Sequence, residues 1–316
     1  MPPFKRIALL GANGILGAPL LDHLVTNTQC EITVLQRKSS KSTPAHTDNS
    51  RVKVLPIPDD LTASGSHKAL VSALTGQDVV VISIAVRDVA THTALAAAAA
   101  EAGVQRFFPA DWGSVDSSAA RSQEVVPLFG RKVEIRAHLV EMTKKFPDFT
   151  WTSIVGGHFF DWGLREGFMH VNFKDRVTDV FDDGEGRSSL TTLKQYATAV
   201  VAVLELAGRE DSGKDETANR MLFVQSFCVS QNELVTSLEK ATGANWELKR
   251  YDLQKYIKDK KVEADAGDHQ ANEDLVFALG VEDGDWRKKE GYAMELLGLG
   301  EEDLDEIVAS IAAELR

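Results

Sequence analysis

Cysteine is nearly missing from this chain: Cys30 and Cys228 are the two thiols in 316 residues. Two thiols cannot build a disulfide framework, so a reducing compartment, the cytoplasm, is expected. Basic charge is short as well. Lys and Arg number 35 against 47 Asp and Glu, a formal net charge of −12, which repels a polyphosphate and argues against nucleic acid as a direct partner. The longest apolar runs, such as "VVVISIAV", are strand-sized, so no membrane span is expected. The stretch "MPPFKRIALLGANG" lacks the charged-then-apolar build of a signal peptide. The 8 histidines show no HxH, HExxH or paired-cysteine spacing, and no metal site is expected. No GxSxG elbow marks a hydrolase. Tyrosine is the most telling shortage: none of the 4 precedes Tyr196.

What is present is an ordinary globular composition, 43% hydrophobic and 26% charged. Compact apolar runs at 6–12, 51–57, 78–86, 104–110 and 149–157, with "EITVLQR" between the first two, read as strands. Helical patterning lies between most of them, over 14–27, 65–75, 91–102 and 127–145. Five alanines at 96–100 imply a helix packed tightly on a sheet. Apolar strands alternating with helices predict an α/β fold, a Rossmann-type doubly wound parallel sheet. Beyond residue 157 the alternation fails, leaving a helix over 191–208, a strand over 220–226, a capped helix over 230–243 and a charged helical stretch over 251–316. The expected partition is a nucleotide-binding domain over 1–157, with elements from about 188–230 returning to it. A smaller mixed α/β C-terminal substrate lobe takes 158–187 and 231–316.

"GANGILG" sets Gly11, Gly14 and Gly17 between the first strand and the first helix. Small residues there let the backbone approach a pyrophosphate, and the helix N-terminus offers free N–H groups and a positive dipole. An NAD-selective site carries Asp or Glu at the end of the second strand. This chain instead has "LQRKSSK", with Arg37, Lys38 and Lys41. A guanidinium suits a 2′-phosphate that a carboxylate would repel, so the expected cofactor is NADP(H).

The proton donor is harder to find. Tyr-x-x-x-Lys occurs at Tyr251–Lys255 and Tyr256–Lys260, both far beyond the nucleotide half in a lysine-rich segment, and reads as coincidence. "FGRKVEIRAHLVE" (129–141) looks like an amphipathic helix, with Ile135, Leu139 and Met142 on one stripe. Periodicity alone leaves Lys132 open, either a solvated helix lysine or a functional one.

Several motifs in order resemble those of the NmrA-like, isoflavone reductase-like family of atypical short-chain reductases. They are "GANGILG", Arg37, "RFFPADWG" (106–113), "KVEIRAHLVE", "FTWTSIVGGHFFDWGL" and "SLTTLKQYATAVVAVL". The likeness covers about residues 5–205 well. It implies that Lys132 is the catalytic lysine, hydrogen-bonding a substrate oxygen and offsetting charge as hydride arrives. It implies cofactor contacts from Gly11, Asn13, Gly14, Ile15, Leu16, Gly17, Arg37, Lys38, Ser39, Ile84, Ala85, Lys132, Gly156, Gly157 and Phe159. Departures gather where the family binds substrate: Ala137 replaces a second arginine, Gly157 or His158 stands where the family has Asn, and "ADWG" stands for "SEFG". Expected substrate contacts are Asp111, Trp112, His158, Phe160, Trp162 and Phe168, with core packing the competing role for the aromatics.

The function expected from this resemblance is an NADPH-dependent reductase of a small aromatic or conjugated, carbonyl-type, polyketide-like substrate. Hydride would come from nicotinamide C4, in a monomer or homodimer. A dinucleotide-sensing regulator acting through protein partners and a redox-neutral isomerase are the alternatives.

Overall fold

The structure, a computed structural model, describes residues 4–207 and 215–315. In chain order its elements are β1 (Arg6–Leu10), α1 (Gly17–Asn27), β2 (Glu31–Arg37), β3 (Val52–Ile57), α2 (Ser66–Leu74), β4 (Val79–Ile82), α3 (Val89–Glu101), β5 (Arg106–Phe108), α4 (Ala120–Val125), α5 (Pro127–Lys145) and β6 (Thr150–Val155). Then follow β7 (His158–Phe159), α6 (Phe160–Glu166), β8 (Val171–Asn172), β9 (Val177–Phe181), β10 (Arg187–Thr191), α7 (Leu193–Leu206) and β11 (Arg220–Phe223). The chain ends with β12 (Phe227–Ser230), α8 (Gln231–Thr242), β13 (Glu247–Tyr251), α9 (Leu253–Asp265), α10 (His269–Glu282) and α11 (Leu304–Glu314). The helix expected over 191–208 is α7; its last expected residue, Gly208, lies outside the described residues.

The chain divides into two compact units. The first comprises 1–112, 128–154 and 196–222. Its seven-stranded sheet runs β11-β6-β5-β4-β1-β2-β3, the Rossmann order with one added strand at the β6 edge. The pairs β1–β2, β1–β4, β2–β3, β4–β5 and β5–β6 are parallel, with Ile7 opposite both Ile32 and Val79. Strand β4 is buried along its whole length and β1 everywhere except Arg6, as a sheet covered on both faces requires. Strand β3 is the edge and carries Pro56, which a central strand would not tolerate. Helix α3 is capped by Asp88, whose side chain accepts from the Thr91 N–H, and it buries Ala96, Ala98, Ala99 and Ala100.

One buried cation ties this unit together. Arg106 donates to Thr150 (2.9 Å), Thr152 (2.8 Å) and Thr217 (3.0 Å), and pairs with Asp215. An unpaired guanidinium at 1% exposure would be strongly destabilising; here its donors are met by strand β6 and by the segment leading into β11.

The second unit comprises 113–127, 155–195 and 223–316. It holds two three-stranded sheets, β12-β10-β7 and β13-β9-β8. Helix α8 begins with a capping box: the Ser230 side chain accepts from the Glu233 N–H, the Glu233 side chain accepts from the Ser230 N–H, and Gly243 closes the helix at φ +67°. The expected boundaries shift in three places. Residues 113–127 and 155–157 group with the second unit, and the return to the first is 196–222 rather than 188–230. The reason is pairing: β10 and β12 hydrogen-bond to each other and not to the large sheet. Among the described residues no helix is long and apolar enough to cross a membrane, and no cluster of three His, Cys, Asp or Glu side chains could hold a metal ion.

Candidate functional site

In a parallel sheet every strand ends on the same side, and the loops leaving those ends converge there. In the first unit those loops carry the glycine motif after β1, Arg37 at the end of β2, Ile84 and Ala85 after β4, and Asp111 after β5.

Gly11 sits at φ +94°, and a Cβ there would lie 2.2 Å from the Ser83 carbonyl oxygen. A Cβ on Gly17 would lie 1.9 Å from the Gly11 oxygen. The loop is therefore pressed against the segment that carries Ile84 and Ala85, and side chains are sterically barred at both positions. Asn13, Gly14 and Ile15 are exposed, while Leu16 is buried at the head of α1. The first turn of α1 holds no acidic residue and its N-cap makes no side-chain hydrogen bond, which leaves the positive end of the helix suited to an anion. Asn13 donates to the Ser42 hydroxyl at 3.0 Å.

Arg37, Lys38 and Ser39 are all exposed. The Ser39 N–H and hydroxyl donate to Asp59 Oδ1 at 2.9 and 2.6 Å, bonds that hold the Asp59 carboxyl below its usual range. Asp59 was not singled out by sequence reading; its placement at the close of β3, beside the end of β2, was the available signal.

Lys132 is not a solvated lysine. Helix α5 buries Phe129, Lys132, Ile135, Arg136, Leu139 and Met142, a single stripe that contains the lysine. Lys132 is 6% exposed, with Nζ 3.6 Å from Asp111 Oδ1 and 5.7 Å from the centre of the Phe129 ring. Burial drives its pKa below the ordinary lysine value; Asp111 opposes that shift and Arg136 adds to it. The neighbouring Arg131 donates to the Val86 oxygen at 3.1 Å, so the start of α5 is pinned to the loop after β4 that backs the glycine motif.

Asp111, expected to meet substrate, is buried and pairs with both Lys132 and Arg136. Trp112 is 5% exposed; its indole N–H donates to the Ile82 oxygen, its own oxygen accepts from the Tyr196 hydroxyl, and its ring packs edge-on to Tyr196. It belongs to the core of the first unit.

The remaining expected residues lie in the second unit. Gly157 (φ +74°) faces the Ser189 carbonyl, where a Cβ would stand 1.8 Å away, and the Gly156 oxygen accepts from the Thr191 hydroxyl. Phe159 is half-buried at the head of α6. Phe160 is fully enclosed and packs edge-on to Phe227, a core position. Trp162, Phe168 and His158 do come together, with ring centres 5.6 and 5.4 Å apart in succession. His158 is buried beside Phe277 and Gly280, and among the described residues neither ring nitrogen makes a hydrogen bond of good geometry. Burial pulls its pKa down to about 4, only partly offset by the Phe277 backbone, so the ring is neutral at physiological pH.

The two Tyr-x-x-x-Lys strings also fall in the second unit, with Lys255 paired to Asp259 and Lys260 to Asp274. Sequence reading missed His170. Its Nδ1 lies 2.8 Å from Asp179 and its Nε2 3.4 Å from Asp274. Burial opposes its charge, but the two carboxylates prevail and raise its pKa.

The family model described as NmrA-like family matches residues 3–265. An oxidoreductase, aprR, of Aspergillus flavus is 28% identical over 97% of this chain and 98% of its own. The leucoanthocyanidin reductase–NADPH complex of Vitis vinifera superposes with a TM-score of 0.77 at 13% identity, over 98% of this chain and all of that one. AtPrR2 with NADP+ and (+)pinoresinol gives a TM-score of 0.74 at 20% identity, with 98% and 100% covered.

Proposed function

Because the chain belongs to the NmrA-like family, we propose that it is an NADP(H)-dependent oxidoreductase that reduces a small aromatic or conjugated carbonyl compound, with Lys132 as electrostatic and acid catalyst. The observation that carries this reading is a buried, ion-paired lysine in the same unit as the glycine motif, on a helix tied to the loop behind that motif. A protein that only senses a dinucleotide needs the glycine motif and the basic strand end but has no use for a buried ammonium. The oxidoreductase aprR and the NADPH-bound leucoanthocyanidin reductase support the reaction class and the cofactor.

The residues fit the cofactor. The glycine backbone and the uncapped N-terminus of α1 would receive the pyrophosphate. Arg37 and Lys38 would receive the 2′-phosphate. When bound, the dinucleotide supplies a hydride from nicotinamide C4. Lys132 holds its proton at Nζ, where an ammonium offsets the charge gathering on a carbonyl oxygen and then protonates it. The neutral amine left behind recovers a proton from solvent. The Asp111 carboxylate keeps the ammonium affordable in a buried place.

Arg37→Ala is expected to weaken NADPH binding roughly 10- to 100-fold, the worth of one charge-assisted phosphate contact, and to leave NADH binding nearly unchanged. Calorimetric titration with both nucleotides checks this; equal loss for the two removes the 2′-phosphate assignment. Lys132→Met is expected to keep NADPH binding and lower hydride transfer by about 10² or more. The assay is NADPH oxidation over a panel of aromatic and polyketide-like carbonyls, with products identified by mass. Turnover by Lys132→Met near the parent rate would sink the catalytic role. Inactivity of the parent on every carbonyl, with tight NADPH binding intact, would favour a sensor.

A further inference from the structure

The catalytic reading leaves one neighbour of Lys132 without a task. Arg136 lies four residues on along α5, hence on the same face, and is itself buried. Its Nη1 pairs closely with Asp111 Oδ2, while Lys132 stands 3.6 Å from Oδ1, within ion-pair range but longer than a hydrogen bond. Two cations thus share one carboxylate, and the three groups together carry one net positive charge. They differ in one respect: a guanidinium does not titrate in proteins, whereas an ammonium readily does when buried. Any proton that this trio releases in the neutral-to-alkaline range must leave from Lys132.

We propose that Arg136 is a positioning residue for Lys132: by engaging one oxygen of Asp111 it fixes the carboxylate with its other oxygen toward the lysine, and it lowers the pH at which the ammonium gives up its proton. The inference rests on the reading of Lys132 as the acid. It also gives Asp111 a different part from the substrate contact expected of it, that of the shared counter-ion. Physically, a fixed positive charge one helical turn away disfavours the charged form of the lysine, and the carboxylate limits that effect. An isolated Lys–Asp pair would make a strong ion pair and a reluctant acid. Adding a permanent cation makes the same ammonium a readier donor. Burial is the first cause of the lowered Lys132 pKa, Asp111 opposes it, and Arg136 adds to it in the direction this arrangement requires.

The trio can be tested without any substrate. In full-length protein labelled with 13C at lysine Cε, the Lys132 resonance is identified by its loss in Lys132→Arg, and its shift is followed against pH. In the parent its midpoint is expected below those of the surface lysines; a midpoint equal to or above theirs overturns the proposal without further variants. Arg136→Gln is expected to raise the Lys132 midpoint by about one pH unit or more, a tenfold change in proton affinity. No movement, or movement downward, overturns it. Should Arg136→Gln fail to fold, Asp111→Asn must shift the midpoint the other way, further down, and an unchanged value overturns it equally. A merely structural Arg136 would leave the lysine titration in place. Because no turnover is measured, failure here is distinct from failure of the catalytic reading, which Lys132→Met decides.

Discussion

Gly280 and His158 illustrate how much a single missing carbon can decide. A Cβ on Gly280 would stand 2.1 Å from His158 Nε2, against a ring that is 2% exposed and has nowhere to go. Within α10, alanine should gain about 1 kcal/mol over glycine in helix propensity. Overpacking of an enclosed ring costs roughly 1–3 kcal/mol or more, and the contact here is short enough for the second effect to win. Gly280→Ala is expected to lower the urea midpoint, and His158→Ala in the same chain should recover more than half of that loss. A stability for Gly280→Ala equal to the parent would show that the ring has room. At this scale sequence reading was uneven. The glycine motif and Arg37 could be read as candidates because their chemistry is local to a few adjacent positions. Lys132 could have been placed on the buried stripe from Phe129, Ile135 and Leu139 alone, since three- and four-residue steps pass through 132. Asp111 as counter-ion could not, because a residue 25 positions from Arg136 in the chain meets it only through folding.

Among the elements, long periodic segments were the legible ones. Helix α5 occupies the stretch expected, 127–145, and β1, β2, β3 and β6 fall inside their apolar runs. The failures have physical causes. Strands β7 and β8 are two residues each, too short to show any alternation. The 113–127 excursion is mostly small and polar and carries no period at all. Helix α8 was legible from its ends, Ser230 and Gly243, and both act as caps. Ser230→Ala should destabilise the protein by about 1 kcal/mol through the lost cap. Chemical denaturation measures this, and an unchanged midpoint would mean that the reciprocal bonds with Glu233 contribute nothing.

For the molecule as a whole, one buried and one half-buried histidine tilt stability in opposite directions. His158 has a folded pKa of about 4 against an ordinary 6.5. Between those values the unfolded chain takes up a proton that the folded one refuses, so stability falls as pH drops from about 6.5 toward 4, by up to about 1.4 kcal/mol per unit. His170 has a raised folded pKa. Its contribution is complete below 6.5 and is lost as pH climbs through that raised value. A stability–pH curve should thus fall on both sides: His158→Leu should flatten the acid limb and His170→Asn the alkaline one. Loss of both limbs in either variant, or of neither, contradicts the assignment.

Each compact unit is assembled from three separate stretches, so the chain passes from one to the other five times between its ends. A single genetic crossover with a relative within residues 128–149 would exchange parts of both units at once and leave Arg106 facing foreign threonines. Whole-domain exchange in a single step, the quick route to a new specificity, is closed to such a gene. No single crossover can hand over either unit whole, so an intact exchange of one unit needs several joins placed together.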